Sequence, residues 1–467
     1  MNYLISLFDK TVMHEMPDMK HDVNGEEVIE HLKKVCAKCN LIIHDFNVVL
    51  KQARHTCPRL YLLTDAHLTE FLSIPVEPQD IIQGMNWIFT AVKEWRIEVS
   101  SKVPFRMYGV VNTTNENIAL HSKILINAQE QDGSNFYLLT LINDLEKGLK
   151  QTVKENMLKH MPTFFNNGYQ YWNNFKLFRD KTLLFQNLIL MNNILFYHDL
   201  TVIIAAREYA NENSKESFVA NKLLMLKANM EHNLAILCEA FSYEKETNWF
   251  LLLNQFIFYI KHQLDALNYI IEANVQSLNT FEYLVLPKLM FEYSSKSITN
   301  SDFIKESIIS GKNLLEVSSS IQDYNYINER STFLNHYKET EQANYNIILK
   351  SFDYKKNYGF DLIPFSEPKV LTPATNRNFL TILSAFATQM GILIQGPHSR
   401  GKKEIVKGMA YLLGKEIFMV DQFSTSDNFL TQLIFGTIKA GFWILFDNIQ
   451  NFSNTVLSTM AQQVSFI

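Results

Sequence analysis

Two glycines and a lysine set the first chemical question. In GPHSRGKK, residues 396 to 403, Gly396, Gly401 and Lys402 stand where the phosphate-loop pattern G-x-x-x-x-G-K-[ST] places them. Such a loop works because backbone N–H groups and a helix N-terminus surround a phosphate. The lysine reaches the outer phosphates, and the following hydroxyl ligates Mg²⁺. Here that following residue is Lys403. Further on, the apolar run FWILF (442–446) ends in Asp447, placed as an acidic residue that holds the magnesium shell of a nucleotide. The candidate nucleotide-binding set is Gly396, Pro397, Ser399, Gly401, Lys402 and Lys403, with Asp447 as metal ligand if a nucleotide binds.

The departures from the pattern fall on separate steps. Lys403 supplies a cation where the metal needs an oxygen. Ser399 and Arg400 add bulk where small residues let the backbone approach a phosphate. Asn448 follows Asp447, at the position where an AAA+ ATPase has Glu. An amide can orient a water but cannot take its proton at neutral pH. No residue is therefore assigned a catalytic role, hydrolysis by this chain is not expected, and whether it is an enzyme stays open. ATP or ADP with Mg²⁺ is the candidate cofactor, with an empty structural loop as the alternative. The cluster His398, Arg400, Lys402 and Lys403 reads either as an anion attractor or as a solvated loop.

These residues need elements to hold them. GILIQ (391–395) predicts a strand before the loop, and a helix follows from Lys402 to Leu413, stopped by Gly414. EIFMV (416–420) is a second strand, Ser426 or Asp427 can cap a helix to about Lys439, and FWILF is a third strand. Short apolar strands alternating with helices mean βαβ units and a parallel sheet. The connector before them, YGFDLIPFSEPKVLTPATNRNF, has three prolines and little helical period. The chain stops at Ile467 inside a helix begun near Ser453, so this α/β portion, of about 110 residues, is expected to be incomplete.

The rest is expected to be helical. With 15 Gly and 11 Pro in 467 residues, breakers are scarce, since average usage would give roughly 33 and 23. Charge is nearly balanced, 43 Lys+Arg against 48 Asp+Glu, which argues against nucleic acid or an acidic membrane surface as partner. Four cysteines do not make a disulfide framework at this length, so a reducing compartment is expected. The run Leu183–Ala206 is broken by Gln186, Asn192, Asn193, His198 and Asp199, which predicts a core helix rather than a membrane span.

Apolar residues from Ile29 to Leu50 recur every three to four positions and predict one helix over 24–53. Cys36 and Cys39 are expected on its buried stripe, as packing rather than as a metal site. CPRLYLLTDAHLTEFL (57–72) predicts a Pro break, a short β-rich run, then a helix capped at Thr64-Asp65. Residues 95–127 predict a small sheet, and 135 to about 350 helix after helix.

Several of these stretches carry a resemblance. The connector, GPHSRGKKEIVKGMAYLLGK and GTIKAGFWILFDNIQNFSNTVLSTMAQQVSFI look like the opening of the first AAA+ module of dynein heavy chains. CPRLYLLTDAHLTEFL and NTFEYLVLPKLMFEY are similar to segments of the dynein linker. The resemblance implies a mainly α fold: a helical linker arm with a small β insertion (1–353), then a partial α/β P-loop AAA+ module (354–467). It implies a microtubule-based motor complex, other dynein chains as partners, and microtubules reached through regions absent here. Nucleic acid and membrane are not implied. The setting would be cytoplasm and cytoskeleton, with the axoneme of a cilium or flagellum as an alternative.

Gly396, Gly401, Lys402 and Asp447 match the family's motifs, whereas Lys403 departs from Thr, Ser399 from Gly and Asn448 from Glu. The expected role is therefore structural or regulatory, in a fragment or truncated product. The alternatives are an active ATP-hydrolysing motor subunit when complete, and a free-standing helical interaction protein with a vestigial P-loop.

Overall fold

The computed structural model describes residues 25–73, 78–98, 105–126, 136–180, 183–206, 215–242, 247–293, 345–364, 372–420 and 427–465. Helices α1 (Gly25–Thr56), α2 (Asp65–Ser73) and α3 (Pro78–Ile88) lead into strands β1 (Val92–Glu98), β2 (Phe105–Asn112) and β3 (Asn117–Ile126). Next come α4 (Phe136–Asn167), α5 (Tyr171–Arg179), α6 (Phe185–Ala205), α7 (Lys215–Ser242), α8 (Thr247–Glu272) and the short α9 (Phe281–Leu284). Strands β4 (Lys288–Tyr293), β5 (Tyr345–Ser351) and β6 (Tyr354–Asn357) follow, then α10 (Pro373–Ala387) and α11 (Lys402–Leu412). The end is β7 (Ile417–Val420), α12 (Asp427–Ala440), β8 (Trp443–Phe446) and α13 (Asn454–Ser465). The fold is mainly helical with small sheets and an α/β C-terminal portion.

The chain divides into two compact units. The first comprises 1–108, 122–147 and 420–467; the second comprises 109–121 and 148–419.

In the first unit the helix expected over 24–53 is present, but its packing differs from the expectation. The more covered side runs Val35, Cys39, Ile42, Phe46, Leu50, and of these only Leu50 is fully buried. Cys36 is exposed and Cys39 half-buried, so the pair does not lie together on the buried stripe. The helix is anchored at its end, where Arg54 is buried and its Nη1 donates to Asp65 Oδ1 at 2.7 Å and its Nη2 to Leu63 O at 2.8 Å.

The expected β-rich run after Pro58 is instead a 3₁₀ turn, Pro58–Leu62. Proline at its first position fixes φ, and the N–H of Leu60 reaches Cys57 O at 3.0 Å, so the backbone closes locally rather than pairing. Thr64 does cap α2, its Oγ1 accepting the His67 N–H at 3.3 Å. Arg59 pins the turn: its Nε donates to Ile88 O at 3.2 Å, and its guanidinium sits 4.4 Å from the Phe89 ring centre.

Helix α12 packs on that turn at Gly436. A Cβ there would lie 2.2 Å from Tyr61 Cβ, closer than real carbon atoms approach, so only glycine admits this contact. On its other side α12 shares a small core with α13, built from Leu430, Ile434, Phe452 and Val456.

In the second unit α6 is the centre. It is the helix among the described residues long and apolar enough to cross a membrane, yet 89% of its most apolar window is buried inside the protein. The nitrogen ends of its buried amides are bonded: Asn187 Nδ2 donates to Val153 O at 2.9 Å, and Asn192 Nδ2 to Gln263 Oε1 at 2.9 Å. Aromatic rings of α5 and α8 pack beside it, with Phe175 and Phe256 6.3 Å apart and stacked.

The helical run expected to about 350 is interrupted by strands at both described ends of its last part, and 294–344 lie outside the described residues. Strands β4, β5 and β6 form an antiparallel sheet, with Lys288 opposite Lys350 and Ile348 opposite Asn357. Lys288 is only 2% exposed, and its Nζ donates to Tyr283 O at 2.8 Å and to Leu284 O and Leu286 O at 3.2 Å. It thereby caps the carbonyls that end α9. Burial, with a smaller contribution from the Lys350 charge, pushes its pKa down to about 7.

Two predictions follow from these contacts. Gly436→Ala, which in an open helix interior would stabilise by about 1 kcal/mol, is expected to destabilise by about 1–3 kcal/mol in chemical denaturation, and adding Tyr61→Gly should recover most of the loss. For Lys288, the unfolded chain holds a proton between about pH 7 and 10.5 that the folded chain lacks. Stability is therefore expected to rise with pH across that window, and Lys288→Met should flatten the slope in urea unfolding measured pH by pH.

Candidate functional site

The phosphate-loop motif lies in the second unit, between α10 and α11. Thr372 starts α10 with a capping box, its Oγ1 accepting the Thr375 N–H at 3.3 Å while the Thr375 hydroxyl takes the Thr372 N–H at 3.2 Å. After α10 the run GILIQ does not form the expected strand. A strand is held by hydrogen bonds to a neighbour, and among the described residues nothing pairs with this one. Its apolar side chains lie open, with Leu393 at 74% exposure.

The loop itself is exposed from Gly396 to Gly401. Gly401 has φ +72° and hands the chain to α11, whose first hydrogen bond runs from Ile405 N–H to Gly401 O at 3.1 Å. Ser399 also has positive φ, +58°, which a residue with a side chain adopts at a cost of about 1–2 kcal/mol. Lys402 turns onto its own loop, its Nζ donating to Gly396 O at 2.9 Å and Pro397 O at 2.6 Å. Its ammonium thus sits against the loop's own carbonyls. Lys403, exposed, occupies the second position of α11.

The far end of α11 is fixed by burial. Met409, Ala410 and Leu412 are buried, and the helix stops at Gly414 as expected, with φ +60°. A Cβ on Gly414 would come within 2.4 Å of the Tyr358 ring. The chain at 359–361 then clasps this end: Gly359 N–H donates to Leu413 O at 2.7 Å, and Asp361 N–H to Gly414 O at 3.0 Å. The Asp361 carboxylate accepts the Glu416 N–H at 3.1 Å and pairs with Lys150 at 3.1 Å. Gln186 Nε2 donates to Tyr358 Oη at 3.0 Å and Asp361 O at 2.9 Å. Burial raises the Tyr358 and Tyr411 hydroxyls, so both stay neutral at physiological pH. The connector before the motif is therefore an anchor, which its prolines alone do not reveal.

Asp447 and Asn448 lie in the first unit. Asp447 follows β8, half-buried, and its N–H donates to Val420 O at 2.9 Å. Asn448 is exposed with φ +50° and opens a 3₁₀ turn, Ile449–Asn451. Asparagine tolerates that left-handed backbone better than most residues. No group of three or more His, Cys, Asp or Glu that could hold a metal ion occurs among the described residues. The sequence did not single out Gly436 or Asp361, which act through contacts remote in the chain.

A phosphate-loop motif at a helix N-terminus, with an apolar strand ending in Asp farther along, defines the P-loop α/β class. Residues 358–467 match the family described as the hydrolytic ATP binding site of the dynein motor region, and residues 6–160 match dynein heavy chain, N-terminal region 2. The chain belongs to the dynein heavy chain family, in its linker and first AAA module region.

A cytoplasmic dynein heavy chain of Neurospora crassa is 21% identical over 458 residues, 97% of this chain and 9% of the relative. One from Caenorhabditis elegans is 31% identical over 121 residues, 26% of this chain and 3% of the relative. Mouse dynein axonemal heavy chain 8 is 24% identical over 208 residues, 44% of this chain and 4% of the relative. The chain thus spans less than a tenth of the length of these relatives.

Gly401→Ala tests the loop geometry. Nothing lies within 4 Å of the added Cβ, so the cost is the left-handed backbone alone, about 1–2 kcal/mol. Faster hydrogen exchange is expected at the Ile405 amide and its first-turn neighbours, with rates at Met409 to Leu412 unchanged.

Proposed function

We propose that this chain supplies the linker and first AAA module region of a dynein heavy chain, with 1–353 as the linker-like part and 354–467 as the module. Its nucleotide site is degenerate and serves a structural or regulatory role within a microtubule motor complex. The observation that carries this reading is Lys402 held against Gly396 and Pro397, with Lys403 beside it in place of a hydroxyl. Lys402 and the loop N–H groups fit a phosphate chain, so ATP or ADP is the ligand class. By the sequence motif, Asp447 is the residue assigned to a magnesium shell, and Lys403 stands where the motif places a hydroxyl ligand. Nucleotide binding then depends little on Mg²⁺, and no group at Asn448 takes a proton from water.

Other dynein chains are the proposed partners, and microtubules are reached through other parts of such a heavy chain. The relatives include cytoplasmic and axonemal chains, so the proposed setting is the cytoskeleton, with the axoneme as a specific case. A second reading, an ATP-hydrolysing motor subunit, is favoured by the match of 358–467 to the hydrolytic ATP binding site of the dynein motor region.

Equilibrium binding of a fluorescent ATP analogue, with Mg²⁺ and with chelator, separates the two. The unaltered chain is expected to bind equally in both, with no steady-state turnover. Lys403→Thr should gain about tenfold in affinity on adding Mg²⁺, equivalent to about 1.4 kcal/mol. Tight Mg²⁺-dependent binding by the unaltered chain, or turnover abolished by Lys402→Ala, would sink the degenerate-site reading in favour of the second.

A further inference from the structure

A small cavity in the second unit lies between the β2–β3 turn, the first turn of α6 and the stretch Leu362–Pro364, with Gln255 and Tyr411 completing its wall. Its volume is about 20 Å³, room for one occupant the size of a water molecule. Two of its groups lack what their chemistry calls for.

The first is Glu116. Its carboxylate accepts the Phe185 N–H at 2.7 Å, the Thr114 hydroxyl at 2.5 Å and the Asn112 amide N–H. All three donors are neutral, and Glu116 forms no ion pair among the described residues. Glu116 is half-buried, and a carboxylate partly withdrawn from water among neutral donors favours a positive partner or a proton. Burial pushes its pKa upward, while the hydrogen bonds from Thr114, Phe185 and Asn112 pull the other way.

The second is Gln255, a residue only 2% exposed whose Oε1 has no hydrogen-bond partner. A buried amide oxygen left unpaired costs about 1–3 kcal/mol. An occupant that attracts oxygens and carries one positive charge answers both deficits. A neutral water answers the amide but leaves Glu116 to take up a proton, the case that indifference of the unaltered chain to K⁺ would reveal. A divalent ion does not match a single carboxylate, since Ca²⁺ and Mg²⁺ take hard oxygen ligands of which several usually carry charge.

We propose that this cavity is a site for a monovalent cation of water size, in the potassium or ammonium class, held by the Glu116 carboxylate, the Thr114 hydroxyl and the Gln255 amide oxygen. The ion ties the β2–β3 turn to the start of α6 and to α8, which carries Gln255. It is independent of any nucleotide at the phosphate loop.

The test uses the full chain without nucleotide or Mg²⁺. Thermal unfolding is followed while K⁺ replaces tetramethylammonium, an ion too large for the cavity, at constant ionic strength. The midpoint is expected to rise by roughly 2 °C per tenfold increase in K⁺ above its dissociation constant. Rb⁺ and NH₄⁺ should reproduce the rise, and Glu116→Gln and Gln255→Leu should remove or weaken it.

A midpoint indifferent to K⁺ in the unaltered chain, or a rise that survives both variants, overturns the proposal. If a variant fails to fold, anomalous diffraction from crystals grown in Rb⁺ decides. A peak between Glu116 and Gln255 supports the site, and ordinary water density there overturns it. None of these outcomes bears on the nucleotide reading, because no nucleotide is present.

Discussion

A buried amide in the first turn of α6, that of Gln186, organises the base of the loop-bearing helix. Such a group is costly inside a protein unless both its ends are bonded. Here Nε2 serves Tyr358 Oη and Asp361 O, while Oε1 accepts the Ile363 N–H at 3.3 Å. One side chain thus fixes residues 358–363 against the most buried helix of the unit. Asp361, so placed, turns its carboxylate to Lys150 and to the Glu416 N–H just beyond α11. The end of α11 is held at several points, while its N-terminal loop lies in solvent. That asymmetry leaves an open loop above a rigid base.

The first unit depends on a steric constraint rather than a polar one. Arg59 occupies the space between Ile88, Phe89 and Glu146 and so prevents the Pro58–Leu62 turn from shifting. Tyr61 projects from the same turn against Gly436, and the Lys439 ammonium lies 6.0 Å from its ring centre. Because the turn cannot yield, α12 must present bare backbone, which explains a glycine in the middle of a helix whose propensity it lowers. The stretch that carries Asp447 is thereby referred to residues nearly 400 positions earlier in the chain.

Local chemistry made part of this legible in the sequence. The stop at Gly414, the cap at Thr64, the core character of α6 and the helices around β8 follow from turn, capping and periodicity rules that act over a few residues. At the 3₁₀ turn Pro58–Leu62, Leu60, Tyr61 and Leu62 favour strands by type, while proline and the Cys57 carbonyl decide the backbone. GILIQ has the composition of a strand, but a strand is a property of pairs, and sequence says nothing about whether a partner is present. Cys36 and Cys39, three residues apart, share a helix face only loosely, and which side is covered depends on neighbours. Gly436 and Glu116 left no signal, since each meets a contact far along the chain, and Gln186 showed only as a polar break in an apolar run, without its partners Tyr358 and Asp361.

The departures at the nucleotide motif do not carry equal weight. Asn448 sits at φ +50°, where asparagine is favoured for backbone reasons whatever chemistry occurs nearby. Lys403 bears on charge rather than on backbone conformation. It stands beside Lys402 in the first turn of α11, where the helix dipole already presents positive charge and a cation is unfavourable. Two lysines there, with Glu404 as the acidic residue of that turn, leave an excess of positive potential at the loop. An anion relieves that excess, and a magnesium ion adds to it. The proposed loss of function therefore rests on Lys403 more than on Asn448, and it points to a loop that favours phosphate without its metal over an inert remnant.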